Sequence, residues 1–129
     1  MWDGARLTTA SHVPFFATAT GRGIGSSFAI NQMIASLTGK RARVLGKPSR
    51  VALDVAIVGM GLPRSAVAQM LVVGDDPALE MAMARKAGAI GIGMTTGLMR
   101  PDTIHALPPG QQPHAVIDRL SLITQALSG

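Results

Sequence analysis

Two short stretches of this chain hold residues suited to binding a phosphate. In GKPS, Gly46 to Ser49, a lysine stands where a helix is about to start, and the free N–H groups there and the ammonium of Lys47 both favour an anion. In MLVVGDDPALE, Met70 to Glu80, an apolar run passes through a glycine into two acids, Asp75 and Asp76. Leaving a sheet at its carboxyl edge, Asp75 offers the hard oxygen ligand that Mg²⁺ takes. A lysine for phosphate with a carboxylate for magnesium is the equipment of phosphoryl transfer. Each motif is weak alone; their combination in this order is specific.

The elements that must position them can be read from periodicity and turn chemistry. A short strand is predicted over Ala5 to Thr9, then a loop through Ser11, His12, Val13 and Pro14. A helix follows in GIGSSFAINQMIASLTG, capped by Ser26 or Ser27, with Phe28, Ile30, Met33, Ile34 and Leu37 at helical spacing and Gly39 as its stop. Strand Ala42 to Leu45 leads to a helix from Ser49 to about Val58, with Ser49 as its cap. Met70 to Val73 reads as a parallel strand buried on both faces, and Pro77 opens a helix over Ala78 to Ala87 that ends at Gly88. AIGIGM is a further buried strand running to TTG. Beyond a proline-rich loop, strand Ala115 to Ile117 precedes a last helix capped by Asp118. Alternating strands and helices make a parallel α/β sheet with its site at the carboxyl ends of the strands.

Composition narrows the function. The 129 residues are 47% hydrophobic with three Phe, one Trp and no Tyr, so the core is aliphatic and base stacking is hard to arrange. No cysteine occurs, which removes disulfides and thiolate zinc sites and suits a reducing cytoplasm. No apolar run is long enough to span a membrane. The net charge of +5 is uneven: no acid lies between Gly4 and Leu53, a span holding Arg6, Arg22, Lys40, Arg41, Arg43, Lys47 and Arg50. Nucleic-acid binding through that span is a minor reading beside a solvated face or cations serving a phosphate ligand. The glycines of ATGRGIGSSFA imitate a dinucleotide-binding turn, but their spacing is compressed and no acid follows to hold a ribose. A glycine-loosened loop entering a helix is the better account.

With these motifs in place, the chain resembles the C-terminal part of a haloacid dehalogenase superfamily phosphatase. The similar subgroup carries a large α/β cap and includes p-nitrophenyl phosphatase-like and pyridoxal phosphatase-like members. GARLTTA, GIGSSFAI, RVLGKPS, LVVGDDPALEMAMARKAGA and TTG stand in that group's order and at similar spacing. The resemblance implies a partial Rossmann-like parallel sheet: residues 1–43 would end the cap and residues 44–129 would form the second half of the core. It makes Lys47 the catalytic lysine that meets the substrate phosphate. It makes Asp75 and Glu80 the Mg²⁺ residues, with Glu80 where the group usually has a second aspartate and Asp76 in a supporting place. In the cap loop ASHV replaces a motif often reading TNxD, and His12 is the candidate substrate contact.

One departure from the family pattern matters. Members attack phosphate with an aspartate of an Asp-x-Asp pair, and this sequence contains no such pair. The expectation is a C-terminal segment of a phosphatase of small phosphorylated metabolites, with little turnover alone. The strand ending at Asp75 should then present an open edge, completed by a second copy or by a complementary N-terminal chain. The alternative is a non-catalytic phosphate-binding or partner-completed module.

Overall fold

The computed structural model describes residues 4–128. The first parallel pairing joins β1 (Thr8–Thr9) to β4 (Arg43–Val44). Between them lie an antiparallel hairpin, β2 (Phe15–Thr18) with β3 (Gly21–Ile24), and helix α1 (Ser26–Thr38). Helix α2 (Arg50–Gly59) leads to the main sheet, β5 (Leu71–Gly74), β6 (Ile90–Met94) and β7 (Ala115–Ile117), all parallel and in that order. Helix α3 (Ala82–Ala87) crosses from β5 to β6, and α4 (Ser121–Leu127) follows β7. The mixed α/β fold with a parallel sheet is the one expected. The β1–β4 pairing straddles the division expected at residues 43 and 44.

Several predicted signals act where the sequence put them. Ser49 caps α2 by accepting the Val51 N–H at 3.3 Å. Gly39 and Gly88 end their helices at φ +68° and +79°, a left-handed backbone that glycine adopts without a Cβ clash.

Other expectations are corrected. The segment Gly21 to Ile24 is a strand, not a loosened loop, joined to Phe15–Thr18 through a two-residue turn. Its glycines serve close approach: a Cβ on Gly23 would come within 2.6 Å of the Phe16 ring, and one on Gly25 would overlap the Val13 carbonyl. Gly25, whose N–H donates to the Pro14 carbonyl at 2.8 Å, is therefore the residue from which α1 starts. Ser26 and Ser27 become its first helical residues instead of its cap. At the other end, α4 starts after Leu120 and not at Asp118, whose carboxylate lies 3.5 Å from the Arg119 guanidinium.

The core lies between the helices and the sheet, where Leu53 and Ile57 of α2 meet Val72 of β5, Met83, Ala84 and Ala87 of α3, and Ala89. Small residues on α3 let it lie close. A Cβ on Gly91 of β6 would stand 3.0 Å from the Met81 sulfur and 3.3 Å from Ala84. Because side chains alternate along a strand, Ile90 and Ile92 face away from α3, and they are only partly covered. Burial on one face, in place of the two expected, also holds for β5, where Leu71 is 41% exposed and Val72 is buried. Among the described residues β5 pairs on one side only, with β6.

Candidate active site

The site forms where three backbone approaches converge at the carboxyl end of β5. Gly46 lets the GKPS turn press against the Ala10 carbonyl, since a Cβ there would overlap that oxygen. Lys47 is thereby set beside the Ser11 loop. Gly74, last in β5, is packed against the Glu80 side chain so closely that a Cβ would overlap it. Gly97, in the loop after β6, does the same beneath the Asp75 carboxylate. The Leu98 N–H then donates to Asp75 Oδ2 at 3.3 Å.

A cleft of about 550 Å³ opens between these elements, with Lys47, Asp75, Asp76 and Glu80 on its polar side. Ser11, Ser26 and Ser27 add hydroxyls from the N-terminal part, while Phe15, Phe16, Leu79 and Leu98 make it partly apolar. Lys47 Nζ forms an ion pair with Glu80 Oε1, and Glu80 Oε2 accepts the Asp76 N–H at 3.2 Å. The Glu80 side chain is only 9% exposed against 49% for Lys47, so a buried carboxylate holds the ammonium of a lysine that is half in solvent.

Asp76 is the helix cap here. Its Oδ1 accepts the Ala78 N–H at 2.8 Å, and the chain enters a π turn, Pro77–Met81, that continues into α3. Burial pushes its carboxyl above the usual carboxylate range, the Glu80 and Asp75 charges add to this, and the N–H groups of Ala78 and Leu79 oppose it. An acid before a proline at the first helical position could have revealed this cap from sequence.

Of the four residues singled out by sequence, Lys47, Asp75 and Glu80 share the cleft and His12 does not. His12 faces a separate hollow with Asn31, Gln32 and Arg41. Its Nδ1 is 3.3 Å from the buried Asn31 Nδ2, and its ring lies 4.8 Å from that of Phe28. Its neighbour Ser11 is the loop residue that lines the cleft. The hairpin that carries Phe15 and Phe16 went unforeseen, because a proline before those residues and glycines after them hide it.

A divalent cation finds a partial donor set. Among the described residues no three His, Asp or Glu side chains gather to hold a metal. Glu80 has one oxygen on Lys47 and the other on the Asp76 N–H. Both Glu80 oxygens are thus engaged, while Asp75 accepts the Leu98 N–H at Oδ2. Magnesium commonly takes one or two carboxylates, with waters and phosphate oxygens completing six positions, so Asp75 fits as one ligand of several.

The parallel sheet thus places Asp75 at the carboxyl end of β5, in one cleft with the Lys47–Glu80 pair. A family model described as HAD-hydrolase-like matches residues 44–123, and the chain belongs to that family. Among solved structures it is similar to a p-nitrophenyl phosphatase from Archaeoglobus fulgidus, at 24% identity and a TM-score of 0.79 over 96% of this chain and 47% of that one. A 4-nitrophenylphosphatase from Thermotoga maritima gives 21% and 0.81, over 98% and 46%. Glycerol phosphate phosphatase Rv1692 from Mycobacterium tuberculosis, in complex with magnesium, gives 23% and 0.77, over 93% and 35%. The chain thus spans between about a third and a half of the length of these structures. No curated protein matches it. No helix among the described residues is long and apolar enough to cross a membrane.

Proposed function

We propose that this chain is the phosphate-holding portion of a magnesium-dependent, cytoplasmic phosphatase of small phosphorylated metabolites. The observation that carries the reading is the ion pair from Lys47 to the buried Glu80 at the mouth of a cleft that also holds Asp75. Glu80 aims the ammonium, and Lys47 can then donate to phosphoryl oxygens while Asp75 holds the metal. The bound cation would supply neutralisation of charge on the phosphate. Residues 1–43 are read as the end of a cap and 44–129 as core, supported by the start of the family match at residue 44. The β1–β4 pairing then forms the seam between them.

With no Asp-x-Asp pair in the sequence, the aspartyl nucleophile has to come from outside these residues. The one-sided pairing of β5 favours a partner-completed module: a complementary N-terminal polypeptide would add a parallel strand at that edge and bring its carboxylates beside Asp75. A homodimer through the same edge is the competing arrangement. The test is hydrolysis of phosphate monoesters by the pure chain, alone and mixed with an N-terminal phosphatase segment bearing Asp-x-Asp. Metal-dependent turnover in the mixture alone supports the reading. Turnover by the chain alone that survives Asp75→Ala refutes it.

A further inference from the structure

Among the described residues two polar side chains are buried, Glu80 at the cleft and Asn31 on α1. Glu80 holds Lys47, whereas Asn31 acts on another stretch of the same cleft. Its Nδ2 lies 3.3 Å from the Ser11 carbonyl and 3.3 Å from His12 Nδ1. A carbonyl oxygen can only accept, so the Asn31 atom facing it is the amino nitrogen. That nitrogen has only hydrogens to offer the imidazole. The network therefore assigns Nδ1 of His12 as an acceptor, with the proton of the neutral ring on Nε2.

The segment these bonds hold, Ala10 to Pro14, is gripped at three points. Gly46 lets the Lys47 turn press on the Ala10 carbonyl. Gly25 lets the start of α1 press on the Val13 carbonyl, and its N–H donates to the Pro14 carbonyl at 2.8 Å. Both are contacts of backbone with backbone. Between them Asn31 supplies a side-chain grip, and it falls where two neighbours diverge: Ser11 lines the cleft with Lys47 and Asp75, while His12 lines the separate hollow with Asn31. Thr9 Oγ1 also donates to the Ser11 carbonyl at 2.8 Å, and Ser11 Oγ accepts the Val13 N–H at 3.4 Å. Those bonds shape the loop from within, but only Asn31 ties Ser11 and His12 to the helix. A buried amide costs stability unless it is hydrogen-bonded, and both bonds of this one go to the loop.

We propose that Asn31 is a positioning residue for the cleft: by holding the Ser11 carbonyl and the His12 ring, it keeps Ser11 in the anion site with Lys47 and His12 out of it. The inference rests on the phosphate reading of Lys47. It adds to that reading a residue outside the cleft lining, which acts through Ser11.

The test is a double-mutant cycle on the full chain, read by calorimetry as affinity for inorganic phosphate with Mg²⁺ present and pH fixed. Asn31→Leu is expected to weaken phosphate about three- to tenfold in the parent, and by less than about 1.5-fold in a Ser11→Ala background. A loss of the same size in both backgrounds makes Asn31 a merely structural residue and overturns the proposal, as does no loss in either. Nitrogen-15 NMR of the three histidines, with His12 assigned through His12→Phe, gives a second readout. The parent should show His12 with its proton on Nε2. Asn31→Asp, whose carboxylate accepts where the amide donated, should bring a proton onto Nδ1. A parent ring already protonated on Nδ1 overturns the proposal, and that result is legible even where a variant fails to fold. Lys47→Ala separates the two levels. If it abolishes phosphate binding while Asn31→Leu changes nothing, the phosphate reading stands and the positioning role fails; if it binds phosphate as the parent does, the phosphate reading itself fails and the proposal falls with it.

Discussion

Lys47 and Glu80 lie 33 positions apart in the chain, yet the ammonium of one and the carboxylate of the other form an ion pair at the end of β5. The pair is asymmetric, with a half-exposed cation and a buried anion. Removing the cation leaves a charge with little water around it, whereas removing the anion leaves a lysine that can still be solvated.

Lys47→Met is therefore expected to cost about 1–3 kcal/mol of stability, and Glu80→Gln less. The double variant should be more stable than Lys47→Met alone, a coupling that urea denaturation of the four proteins would measure. Strict additivity would show that the ion pair contributes nothing to the fold.

Gly74 and Gly97 separate the two acids by position. A Cβ on Gly74 would overlap Glu80, and one on Gly97 would overlap Asp75. Gly74→Ala should weaken phosphate binding by displacing the partner of Lys47. Gly97→Ala should weaken Mg²⁺ binding more than it weakens metal-free phosphate binding. Isothermal titration of both variants with phosphate and with Mg²⁺ checks the division, and identical profiles would contradict it.

The Asp76 carboxyl is raised from its ordinary 3.8, first by burial. A carboxyl raised on folding binds more protons in the native state than in the unfolded one, so stability falls as pH climbs from about 3.8 through the raised value and stays lower above it. Asp76→Asn keeps an oxygen to cap Ala78 and removes the charge. Its stability curve, taken by thermal melts in chelator, is expected to be flatter on the acid side and to match or exceed the parent at pH 7. Asp76→Ala, which loses the cap, should instead cost about 1 kcal/mol.

The open side of β5 predicts association. Beside that edge, the face of the sheet away from α3 carries Leu71, which is exposed, and Ile90 and Ile92, which are only partly covered. Light scattering should find the pure chain above monomer mass at micromolar concentration, and Leu71→Lys should shift it toward monomer. A monomer at all concentrations would show that this edge is protected.

Much of this protein was legible because it is local. Ser49 before a helix, Gly39 and Gly88 after one, and an apolar run ending in Asp75 each act through neighbours a few residues away, so the order of strands and helices from β4 onward and the place of the acid at the strand's end follow from the sequence. What the tertiary structure decided was distant approach. Glycines at 23, 25, 46, 74 and 97 look like loop punctuation in one dimension; in space each admits a particular ring, carbonyl or carboxylate. Those approaches turn Arg22 and its glycines into a hairpin, give Glu80 to Lys47, and leave His12 bonded to Asn31 outside the cleft while Ser11 enters it. Spacing along a chain sets helical and strand periodicity, but only a folded backbone determines which two surfaces touch.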